Sequence, residues 1–146
     1  MPFSRGYVWQ VVLALLAGQA AAGEPGWLAG SEITAALAGK TIEGRYVSGR
    51  GFSERYLTDG RVEYIERGLT MSGHWSVTAG TLCTIYDTGP AGGCFRVSKA
   101  SENCFEFYFV TRTEEAAPGP ENADPKWTAR GAVSGQPSAC RDGTSV

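Results

Sequence analysis

The chain is short of the residues that most metal and catalytic sites need. It has one histidine, His74, and no C-x-x-C pair among its four cysteines, Cys83, Cys94, Cys104 and Cys140. Structural zinc is held by closely spaced cysteine and histidine pairs, so no metal is expected here. One imidazole also gives nucleophilic catalysis little to work with, because a nucleophile must have a base beside it. Charge of one sign is nowhere concentrated. The 13 basic and 15 acidic residues are interspersed, as in Glu43/Arg45, Glu54/Arg55, Arg61/Glu63 and Glu66/Arg67. Without a basic stripe to track phosphates, nucleic acid is not an expected partner. No apolar run reaches the roughly 20 residues that cross a bilayer. No internal repeat is present.

What the N-terminus does hold is the three-part pattern of a secretory signal. Arg5 is the only charge before Glu24, the run Val8–Ala17 is apolar, and Ala20-Ala21-Ala22 offers an A-x-A cleavage site before Gly23. Residues 1–22 are therefore read as a signal peptide, which makes the expected location periplasmic or secreted. No cysteine lies near that site to take a lipid, and no membrane span is expected after cleavage. Losing Arg5 takes the formal charge from −2 to −3. The remaining residues, 23–140, suit a single domain, with 141–146 as a flexible tail. Four thiols in an exported chain of this size read as two disulfides.

The hydrophobic period divides the domain. A short helix is expected over about 31–38, with Ser31 as N-cap, Gly39 after its end, and Ile33, Ala36 and Leu37 on one face. From Thr41 onward the period becomes two. Thr41–Val47, Phe52–Leu57, Arg61–Arg67, Met71–Val77, Leu82–Tyr86, Cys94–Ser98, Cys104–Val110 and Trp127–Val133 read as strands. The expected fold is all-β: an antiparallel up-and-down meander curling into a small lipocalin-like barrel or half-barrel, with one short N-terminal helix. A sandwich, or an open sheet closed by the helix, is the alternative. Residues 113–126 hold three prolines without any period and read as a long exposed loop.

Alternation also decides register. A three-residue loop at Thr58-Asp59-Gly60 sets Tyr56 opposite Val62, Glu54 opposite Tyr64 and Arg55 opposite Glu63, which sorts the two faces better than a two-residue loop does. Leu82 and Phe95 face inward, so Cys83 and Cys94 face outward on neighbouring strands, with Asp87–Gly93 as the loop between them. The predicted bridges are Cys83–Cys94 and Cys104–Cys140. Gly44 and Gly73, inside strands, mark sharp bends or close backbone approach.

Few side chains are candidates for chemistry. His74 falls on the outer face between Gly73 and Trp75 and reads as an exposed strand histidine. Ser72 and Ser76 flank it on the same polar face. Most strand glutamates fall on the solvent side. Glu54 turns inward beside Phe52, Tyr56 and Tyr64, and is expected at the barrel rim in water, a ligand-orienting role being the alternative. The inward set, Tyr46, Phe52, Tyr56, Tyr64, Trp75, Tyr86, Phe95, Phe105, Phe107, Phe109 and Trp127, is expected to pack the interior. The alternative is a pocket for an apolar ligand held by Glu54, Tyr56, Tyr64, Trp75 and Phe107. No catalytic residue and no cofactor is assigned.

The stretch Gly73-His74-Trp75-Ser76-Val77, then Leu82-Cys83, Cys94-Phe95-Arg96-Val97 and Cys104-Phe105-Glu106-Phe107, resembles a family of small exported proteobacterial proteins classed as a domain of unknown function. Leu28-Ala29-Gly30-Ser31-Glu32-Ile33 and Gly39-Lys40-Thr41 extend the likeness over most of 28–110. The resemblance implies a bacterial periplasmic or secreted origin and carries no activity with it. The expectation is a non-enzymatic binding or interaction module, whose partner is another exported protein or an envelope component. Carriage of a small apolar ligand inside the barrel, and a small hydrolase using His74 or Glu54, are the alternatives.

Overall fold

Two-residue alternation after Gly39 becomes eight antiparallel strands that close on themselves. The computed structural model describes residues 26–88, 92–112 and 123–140; the expected signal segment, residues 113–122 of the long loop, and the tail beyond Cys140 lie outside the described residues. A helix, α1 (Gly30–Leu37), precedes β1 (Lys40–Tyr46), β2 (Gly51–Tyr56), β3 (Arg61–Glu66), β4 (Leu69–Thr78), β5 (Thr81–Tyr86), β6 (Gly93–Ser101), β7 (Cys104–Arg112) and β8 (Ala129–Val133). Each strand pairs with the next, and β8 returns to pair with β1. Closure leaves the sheet without a free edge.

The seam between β1 and β8 depends on glycine. Gly44 stands opposite Gly131, and a Cβ on Gly44 would lie 2.6 Å from the Arg130 carbonyl oxygen and 2.6 Å from the Phe52 ring. Gly73 on β4 is tighter still, since a Cβ there would sit 2.0 Å from the Ile85 carbonyl oxygen. Both positions are the close backbone approaches that their place inside strands suggests.

The hairpin between β2 and β3 has the register in which Tyr56 meets Val62 and Glu54 meets Tyr64. Gly60 takes the left-handed conformation, at φ 89°, that the three-residue loop requires. Arg55 and Glu63 approach to 3.8 Å on the outer wall, where exposure keeps such a pair worth little. Cys83 faces Cys94 across β5 and β6 and is bonded to it, while Cys104 is bonded to Cys140. Asn103, in the turn before β7, holds the tail: its amide donates to the Val133, Gln136 and Pro137 carbonyls and its Oδ1 accepts the Val133 N–H.

One end of the barrel, the base, is filled. Ile33 and Leu37 of α1 are fully buried and pack with Ile42, Val62, Leu82, Val97, Phe105 and Val133. Each such side chain contributes on the order of 1.5–3 kcal/mol on burial, which offsets the marginal stability of an eight-residue helix. The helix starts one residue before its expected beginning, and its N-cap is Ala29, not Ser31. The Glu32 carboxylate supplies the cap instead, accepting the Ala29 N–H at 2.7 Å. Upstream of α1, Leu28 donates its N–H to the Val97 carbonyl at 2.9 Å, and Trp27 bridges Ser98 on the flank of β6.

Trp127 is the main departure from alternation. It precedes β8 rather than belonging to it, and its ring lies under the Arg130 guanidinium, 4.6 Å from centroid to Cζ. Arg130 sits on the outer wall with Glu106, so Trp127 is not part of the interior set. Strand parity does not extend past the first residue that pairs.

Candidate functional site

The opposite end, the mouth, is not filled. There the strands enclose a cavity of about 320 Å³ lined by residues from every strand except β8's far half, among them Tyr46, Phe52, Glu54, Tyr56, Tyr64, Met71, Tyr86, Phe95, Phe107 and Phe109. The packed interior expected from the aromatic content is thus confined to the base. Two features leave the space. Thr84, Gly92, Gly93 and Ala129 line the cavity with little side-chain volume. The large rings also lie against one another along the wall: Tyr46 contacts Phe52 at 4.9 Å, Phe52 stacks on Tyr64 at 6.0 Å, and Tyr64 meets Tyr86 at 5.5 Å between centroids.

Glu54 marks the inner part of this cavity. It is 7 % exposed and so lies inside the wall, not at a wet rim as its sequence context suggests. Two tyrosine hydroxyls make the burial tolerable. The Tyr56 hydroxyl donates to Oε2 at 2.6 Å, and the Tyr86 hydroxyl donates to Oε1. Burial pushes the Glu54 carboxyl above its ordinary value, and the two hydroxyl donors oppose that rise without cancelling it. The phenols respond in the same direction. Burial first, then the neighbouring Glu54 charge, raises both Tyr56 and Tyr86 far beyond the usual phenol range, so both remain donors.

A second polar chain runs to the lip. The Tyr46 and Tyr64 hydroxyls lie 2.8 Å apart and share a hydrogen bond, and Tyr64 donates to Glu66 Oε2 at 3.1 Å. Glu66 is paired at 3.1 Å with Arg50, whose guanidinium also rests over the Tyr46 ring at 5.3 Å. Arg112 adds an exposed cation at the same lip. The exposed side chains of Val47 and Leu69 border the mouth at the end of β1 and the start of β4.

Of the five residues read as a ligand set, Glu54, Tyr56, Tyr64 and Phe107 line the cavity together. Trp75 does not. It lies toward the base, its ring edge-on to Tyr56 at 5.4 Å and its Nε1–H donating to the Leu57 carbonyl at 2.8 Å. His74 is on the other side of the wall from Glu54, with its side chain 65 % exposed and Nδ1 4.0 Å from an equally exposed Asp87. The two hydrolase candidates therefore share no site. Tyr46 and Tyr86 line the cavity without having been singled out, although their inward parity made them available. Arg50 and Arg112 stand at strand ends, where parity says nothing about direction.

The outer wall carries its own polar group. Glu106 is ion-paired with Arg130 and accepts the Tyr108 hydroxyl at 2.8 Å, with the Tyr108 phenol pushed up to about 12 by burial and that bond. Trp27 lies edge-on to Tyr108 at 4.9 Å, under Arg96 at 4.4 Å. Glu106, Arg130 and Tyr108 satisfy one another, and the Trp27 ring, packed between Tyr108 and Arg96, lies against β6 and β7. Among the described residues no three histidine, cysteine, aspartate or glutamate side chains come together to hold a metal ion. No protein-family model, curated protein or solved structure matches the chain.

Proposed function

We propose that this is an exported, non-enzymatic binding protein that carries a small, mainly apolar molecule in the mouth of its barrel. The cavity is the observation that carries the reading. At about 320 Å³ it lies within the roughly 300–1,000 Å³ of small-molecule sites, and its wall is aromatic with a few convergent polar groups. Solid packing at the base and space at the mouth divide the barrel into a scaffold half and a receiving half.

Export is supported by the signal-like N-terminus and by two disulfides, which persist in oxidising compartments. A carrier reading is favoured over a hydrolase that pairs His74 with Glu54, because the two lie on opposite sides of the wall. It is favoured over recognition by the outer wall because Glu106, Arg130 and Tyr108 there are engaged with one another. Native mass spectrometry of protein recovered from its host without denaturation tests the reading. The expected result is a discrete bound mass that is lost in Met71→Trp, which fills the cavity from its wall. Protein that arrives empty and takes up no apolar reporter dye would overturn it.

A further inference from the structure

The polar content of the cavity narrows the ligand further. Acids in the barrel wall are generally matched to a base: Glu66 to Arg50, Glu63 to Arg55, Glu106 to Arg130. Two acids break that pattern: the exposed Glu43 on β1, which accepts the Ser134 hydroxyl at 3.1 Å, and the buried Glu54. Among the described residues no arginine, lysine or histidine pairs with Glu54, and its partners are the Tyr56 and Tyr86 hydroxyls. An ionised carboxylate offers about four acceptor positions, and the two tyrosines take only part of them. Glu54 also lines the cavity, so its remaining capacity is open to whatever enters.

Resting on the carrier reading, we propose that the ligand is a small organic cation, an amine whose ammonium group meets the Glu54 carboxylate while its apolar body lies among the rings of the wall. The missing counter-charge of the barrel would then arrive with the ligand. The surroundings suit a cation twice over. Tyrosine and phenylalanine faces attract positive charge through the ring quadrupole, and Tyr46 already holds the Arg50 guanidinium in this way at 5.3 Å. Burial pushes this carboxyl above its ordinary value, and the two hydroxyl donors oppose that rise without cancelling it. An ammonium group would turn a buried acid held only by two hydroxyls into a charge-paired, hydrogen-bonded one. An anionic ligand fits less well, because its head group would have to stay at the lip beside Arg112, away from Glu54.

Calorimetric titration with three probes of similar size, 2-phenylethylamine, 2-phenylethanol and phenylacetate, tests this near neutral pH. The amine is expected to bind at least about tenfold more tightly than the alcohol, the scale of one charge-assisted hydrogen bond, with phenylacetate weakest. Glu54→Gln should bring the amine to the level of the alcohol, removing the amine's advantage of about tenfold or more. If that variant does not fold, the order of the three probes on the unaltered protein decides alone. An alcohol or phenylacetate that binds as tightly as the amine would overturn the cation assignment and leave the carrier reading standing. If neither the three probes nor an apolar reporter dye binds, both are wrong.

Discussion

Replacing Tyr56 by phenylalanine removes one hydroxyl and leaves its ring contact with Trp75 in place, so it isolates what a single donor does for Glu54. Tyr56 is 2 % exposed and its hydroxyl donates to Glu54 Oε2 at 2.6 Å. Against an ionised acid such a bond contributes about 1.5–3 kcal/mol, and against a neutral one about 0.5–1.5 kcal/mol. The penalty should therefore depend on pH, with a sign that follows from Glu54. Its folded pKa lies above the ordinary 4.5. A group raised in this way contributes stability below the unfolded value, and that contribution is lost as pH climbs through the folded value. Tyr56 favours the ionised form, so its removal raises the folded value further and extends the loss to higher pH. Urea unfolding of both proteins from about pH 4 to about pH 9 should give curves that diverge as pH rises. In a Glu54→Gln background the Tyr56→Phe penalty should be constant. A penalty in the unaltered protein that is flat with pH would refute the coupling.

Gly73→Ala should cost about 3 kcal/mol, the upper end of overpacking penalties, because its Cβ would meet the Ile85 carbonyl 2.0 Å away; a loss below about 1 kcal/mol on thermal unfolding would contradict the close approach. Serine replacement of Cys104 and Cys140, which close 36 residues, should destabilise by about 4 kcal/mol, against about 3 kcal/mol for Cys83 and Cys94, which close 11. Chemical unfolding of the two variants gives the order directly. His74→Ala should change stability by no more than about 0.5 kcal/mol and leave ligand uptake untouched, since the side chain is 65 % exposed on the outer wall.

Side-chain parity was the most legible information in the chain. It places Tyr56 against Val62 and Cys83 against Cys94 because a slip of one residue would turn every apolar group outward. Closure was less legible, since the pairing of β1 with β8 joins segments more than 80 residues apart and leaves only the facing glycines Gly44 and Gly131 as a local trace. Depth along the barrel axis was not legible at all. Glu54 and Trp75 both read as inward, yet one lines the cavity and the other lies toward the filled base. Parity separates inside from outside, whereas depth depends on how each hairpin is staggered against the next. The same limit applies to Trp127, which lies before its strand, and to Arg50 and Arg112 at strand ends.

Chemical-shift mapping of the isotope-labelled protein, titrated with 2-phenylethylamine, tests the mouth-side cavity most directly. The shifts should gather on Tyr46, Glu54, Tyr64, Tyr86 and Phe107 and leave His74, Trp27 and Trp127 still. Shifts that gather instead on those outer-wall residues would contradict a receiving interior.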